Sequence, residues 1–155
     1  MGAGKSTVGR LVAEAAGVRF VDLDAMIETA AGAPVAAIFE REGERVFRRR
    51  EAELLPLALD EAGVVALGGG APMAGPNWEL IRTRAVSVWI DTPFDRIWER
   101  VGGSAERPLL RGRGRAEVEH LFQSRRSRYA EALHRVDGRG APAVIAAEVI
   151  RLWIG

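Results

Sequence analysis

A chain of 155 residues with 48% hydrophobic content holds one domain with a real core. Its charges nearly cancel, at +1, which excludes a broad nucleic-acid face, and no apolar run approaches a membrane span. With no cysteine, disulfides, thiolate metal sites and a Cys nucleophile are excluded, and a reducing, cytoplasmic setting fits.

The chain opens on Gly2-Ala3-Gly4-Lys5-Ser6-Thr7, which matches the end of a phosphate-binding loop. Lys5 is the one lysine; arginine supplies every other strongly basic side chain. A compact ammonium on a flexible stem fits a loop wrapped around a triphosphate better than a planar guanidinium does. Backbone N–H groups of such a loop cradle phosphates, Lys5 reaches the β- and γ-phosphates, and the Ser6 hydroxyl can ligate Mg²⁺. Val8, Leu11, Val12 and Ala15 then recur at helical spacing, and Gly17 can end the helix, predicted over 5–16. The loop therefore aims a helix N-terminus at its anion.

A strand is predicted at 19–23. Its end carries Asp22 and Asp24, which period-two alternation places on one side. Beside a phosphate loop, one carboxylate suits a metal shell and the other can accept a hydroxyl proton. Asp24 is also placed to cap the following helix. Helices follow at 25–31, 35–41 and 44–59. The last contains Arg48-Arg49-Arg50, which fan out by roughly 100° each, so only one or two can face a site. Arg48 and Glu51 are helix-surface neighbours, a pairing that would hold the guanidinium rigidly.

The apolar strand 64–67 runs into Gly68-Gly69-Gly70, where glycines permit close backbone approach to a ligand. A helix near 77–83, an apolar strand at 85–90 and a helix at 93–101 come next. The segment 102–115 is rich in Gly and Arg and suits a mobile lid that carries a cation to a phosphate. A helix at 116–133, a short strand at 134–137 and a helix from Pro142 complete the chain. This alternation predicts an α/β fold, with a parallel sheet covered by helices on both faces. The strand that should deliver the phosphate loop, normally central in such a sheet, has no counterpart in the sequence.

These pieces in this order resemble the shikimate kinases, small P-loop kinases related to the nucleoside monophosphate kinases. The motifs that carry the resemblance are Phe20–Asp24, the stretch from Gly43 to Glu51, Leu67–Ala71 and Arg107-Pro108-Leu109-Leu110. The resemblance implies a three-layer P-loop kinase domain over 1–155 with a lid at about 102–115. It implies transfer of the ATP γ-phosphate to the 3-hydroxyl of shikimate, a step of aromatic amino-acid biosynthesis. It implies Mg²⁺ as cofactor and ATP and shikimate as partners, in a cytoplasmic monomer that binds neither nucleic acid nor membrane.

By position, the resemblance makes Gly2, Ala3, Gly4, Lys5, Ser6 and Thr7 the nucleotide loop. Ser6 and Asp22 become the metal site, and Asp24 the base that also binds the shikimate hydroxyls. Arg48 falls on a carboxylate-binding arginine, and Gly69 and Gly70 fall near the hydroxyls. Arg107 is the lid arginine, and Arg100 packs on adenine. Arg125 stands four residues before Tyr129, where the family pattern R-x-P-L-Y puts a second carboxylate arginine. The local sequence lacks that Pro and Leu, so Arg126 competes for the role. The adenine loop near Arg139 and Pro142 matches loosely. The first phosphate-loop glycine is absent too, and Met1 is expected to be an internal residue of a longer native chain. The competing readings are a gluconate-type sugar-acid kinase and a non-catalytic ligand-sensing domain built on the same fold.

Overall fold

The computed structural model describes residues 2–61, 63–101 and 114–154. Its elements, in chain order, are α1 (Lys5–Ala16), β1 (Phe20–Asp22), α2 (Leu23–Ala31), α3 (Val35–Glu61), β2 (Val64–Ala66), a 3₁₀ turn (Ala71–Met73), α4 (Gly75–Arg84), β3 (Val88–Asp91), α5 (Phe94–Val101), α6 (Arg115–Tyr129), β4 (His134–Asp137) and α7 (Pro142–Ile154). This is the expected α/β alternation, with parallel strands joined through helices. The predicted lid and Arg107 fall largely in 102–113, outside the described residues.

Phe20 pairs with Val64 and Asp22 with Ala66, so β1 and β2 run parallel in register. Val88 pairs with His134 and Asp91 with Asp137, giving a second parallel pair, β3 and β4. Among the described residues the two pairs do not join into one sheet. Between them lies a cavity of about 480 Å³, lined by Val64–Leu67 and Val88–Ile90, by Val8 and Val12 of α1, and by Trp78 and Ile81 of α4. The cavity separates β2 from β3.

Apolar clusters hold each half. Leu23, Ile27, Ile38, Phe47, Leu55 and Ile81 pack the α2–α3–α4 side. Val8, Val12, Ile90, Val136 and Ile145 join α1 and α7 to the β3–β4 pair. Phe94, Ile97, Val118 and Phe122 join α5 to α6.

Two local features aim the site residues. Gly4 caps α1 in the left-handed conformation (φ 85°), which a side chain would resist, and no side chain caps the helix. Gly43 interrupts α3 with φ 83° and ψ 166°, so the stretch is two helices meeting at a break, as the separate helices 35–41 and 44–59 anticipated. That break sets the direction of the second helix, which carries Arg48 and Glu51. No helix among the described residues is long and apolar enough to cross a membrane.

Candidate active site

The α1 N-terminus, the carboxyl ends of β1 and β2, and one face each of α3 and α6 converge. With no side-chain cap, the first N–H groups of α1 are left for an anion. Ala3 is buried, Lys5 and Ser6 are half-buried, and Thr7 is exposed. Arg100 of α5 donates to the Gly2 carbonyl at 3.1 Å, which places its guanidinium against the same loop.

Ser6 Oγ donates to Asp22 Oδ2 at 2.5 Å. The other Asp22 oxygen accepts from the N–H groups of Asp24 and Ala25, so Asp22 caps α2. The capping role considered for Asp24 thus belongs to Asp22, because α2 begins at Leu23, two residues earlier than expected. Ser6 and Asp22 present hard oxygen donors side by side beside a phosphate loop. Mg²⁺ is held by one or two such groups together with substrate phosphates, so this pair fits it. No group of three or more His, Asp or Glu suited to a metal occurs among the described residues.

Asp24 lies in the first turn of α2, with Oδ1 buried and without a hydrogen-bond partner. Burial raises its carboxyl above the usual 3.8, and Asp22 adds to this, while Lys5 and Arg48 oppose it. A buried acceptor left open beside two cations suits a substrate hydroxyl.

Of the three consecutive arginines, only Arg48 enters the site. Its Nη1 donates to both Glu51 oxygens at 3.0 Å, and its Nε and Nη2 donate to Glu44. Glu51 is fully buried; burial raises its pKa, and Arg48 opposes the rise. Arg50 pairs with Glu42 and Arg49 with Glu53, both away from the site.

The glycine run serves these side chains in order. A Cβ on Gly68 would stand 2.7 Å from Asp24 Oδ1, and one on Gly70 would overlap the Arg48 guanidinium. The Gly69 carbonyl accepts a 2.6 Å hydrogen bond from the Tyr129 hydroxyl. Sequence reasoning located the run but assigned nothing to Gly68, and the Tyr129 contact spans 60 positions with no local signal.

On α6 the choice between two arginines is geometric. Arg126 binds Asp91 through both terminal nitrogens, at 2.9 and 3.2 Å, and stacks on Trp89 and Phe122. Arg125 instead faces Glu51 and Tyr129 and lines the cavity by Gly68 and Gly69. At the far end of β4, Arg139 is engaged with Asp137.

A phosphate loop, a hydrogen-bonded Ser–Asp pair beside it, a buried carboxylate and a braced guanidinium on a parallel α/β scaffold define a P-loop small-molecule kinase. The family model described as "Shikimate kinase" matches residues 1–153. The shikimate kinase of Gloeobacter violaceus is 44% identical over 154 residues, covering 97% of this chain and 86% of that protein. That of Persephonella marina is 39% identical over 152 residues, covering 97% and 92%. The structure of the Acinetobacter baumannii enzyme in complex with shikimate superimposes with a TM-score of 0.94 at 36% identity, covering 99% of this chain and 88% of that one. The chain belongs to the shikimate kinase family.

Proposed function

We propose that this protein transfers the γ-phosphate of ATP to the 3-hydroxyl of shikimate. The observation that carries the reading is the open, buried Asp24 oxygen between Lys5 and the Glu51-braced Arg48, beside the phosphate loop. The Gly2–Thr7 amides and Lys5 bind the phosphates, and Arg100 flanks the nucleotide. Ser6 and Asp22 would hold Mg²⁺, which when bound neutralises phosphate charge as the reaction proceeds. Arg48 and Arg125 receive the substrate carboxylate; a guanidinium offers the paired donors that such a group accepts. Asp24 orients the acceptor hydroxyl and takes its proton as the phosphoryl group arrives. Gly69 and Gly70 bring backbone close to the ring hydroxyls. Arg107 is assigned the transition-state charge by family position alone. The enzyme acts as a cytoplasmic monomer.

ADP release measured with shikimate and with gluconate as acceptors tests this. Shikimate should be turned over with gluconate a poor acceptor; faster turnover of gluconate, or of neither acid, sinks the reading.

A further inference from the structure

Tyr129 ends α6, four residues after Arg125, so the two side chains share a helix face. Its hydroxyl donates to the Gly69 carbonyl, and Arg125 lines the same cavity as Tyr129, its positive charge opposing the rise in the phenol's pKa. A phenolic oxygen can accept and donate at once, so this one atom is able to serve both neighbours. The next residue, Arg126, is tied to Asp91 on β3. The helix is therefore pinned at two places within the turn that follows Arg125: at β3 and at the loop after β2.

That loop is closely packed on the site. Gly68 lies against Asp24 and Gly70 against Arg48, leaving Gly69 as the residue that α6 reaches. Three successive residues thus touch three side chains of the site. Burial holds the Tyr129 phenol above its usual 10.0, with Arg125 opposing, so the hydroxyl keeps the proton it gives to Gly69.

We propose that Tyr129 is a positioning residue for the acceptor substrate, its hydroxyl fixing the Arg125 guanidinium relative to the Gly68–Gly70 loop. The carboxylate end and the hydroxyl end of the substrate pocket then keep one spacing. This rests on the reading of Arg125 as a carboxylate ligand. Tyr129→Phe keeps the ring, which packs 6.2 Å from Trp89, and removes only the shared oxygen.

Tyr129→Phe should raise the KM for shikimate by about tenfold, the scale of one hydrogen bond involving a charged group. It should leave kcat and the KM for ATP within about twofold. In an Arg125→Ala background the same change should add almost nothing, because two residues acting through one contact are not additive. With the methyl ester of shikimate, which carries no carboxylate, Tyr129→Phe should have little effect. Full additivity of the two substitutions, an equal loss with the ester, or a fall in kcat at constant KM overturns the proposal. If Arg125→Ala itself leaves shikimate KM unchanged, the carboxylate reading of Arg125 fails, and the proposal falls with it. If Arg125→Ala raises KM and Tyr129→Phe does not, only the role of Tyr129 falls. A melting temperature for Tyr129→Phe close to that of the parent confirms that the comparison is between folded proteins.

Discussion

In the proposed reaction Asp24 serves as the base, a role that depends on what is withheld from it. Asp22, two residues away, has its oxygens committed to Ser6 and to the α2 N-terminus, while Asp24 Oδ1 has no partner. Burial is the larger cause of its raised pKa, and the carboxylate is the form that accepts a proton. Activity must therefore fall as pH drops through that raised value, giving an acid limb above the ordinary carboxylate range. Asp24→Asn should lower kcat by about 10²-fold or more, weaken shikimate binding less, and abolish the acid limb in what activity remains. A nearly unchanged kcat would make Asp24 a binding residue only. Gly70 permits a second test at this scale. Its φ of −93° suits any residue, so an alanine there is opposed by space alone. The new methyl would displace the Arg48 guanidinium. Gly70→Ala should weaken shikimate binding by about tenfold while ATP binding holds, read by calorimetry with each ligand separately. Equal loss for both ligands would mean a general loss of fold.

Elements were legible where their signals are local. The α1 bounds follow from helical spacing between Gly4 and Gly17, both of which adopt left-handed backbone. The break at Gly43 was legible, since separate helices were expected at 35–41 and 44–59, on either side of it. The end of α6 was not: its pattern runs on to Leu133, yet the helix stops at Tyr129. There Glu131 and Ala132 bond back only three residues, to Arg128 and Tyr129, in a tightening turn. Tyr129 is held by Gly69, a contact no window of α6 contains. Strand β3 was expected at 85–90 and is found at Val88–Asp91, because pairing with β4 sets its extent. The site divides the same way. Lys5, Ser6, Asp22, Asp24 and Arg48 announce themselves by motif. The burial of Glu51, and the turning of Arg126 to Asp91 and Arg125 to Tyr129, are decided by elements distant in sequence.

At the scale of the whole molecule the dominant feature is the slot between the two strand pairs. β2 is hydrogen-bonded only to β1, and β3 only to β4, among the described residues, and both line the same cavity. Their inner edges carry backbone groups without a ladder partner, and each such group costs about 1–3 kcal/mol when shut away from water. Total stability is only about 5–15 kcal/mol, so a few such groups weigh heavily. The slot has parallel strands on both sides and apolar side chains from α1 and α4 in its walls, including Val8, Val12, Trp78 and Ile81. It therefore suits a short strand that is apolar on both faces and parallel to its neighbours. Joining four or five β-branched residues ahead of Met1 should fill it and draw the phosphate loop taut at the end of the new strand. A net gain of about 2 kcal/mol would raise Tm by roughly 4–8 °C for a domain of this size. Backbone amides of β2 and β3 should gain protection in hydrogen exchange, and ATP should bind more tightly. A Gly/Ser extension of equal length is the control and should do none of these things. Equal melting temperatures for the unextended, apolar-extended and Gly/Ser-extended proteins would show that the slot needs no strand, and that the two pairs carry the fold as they stand.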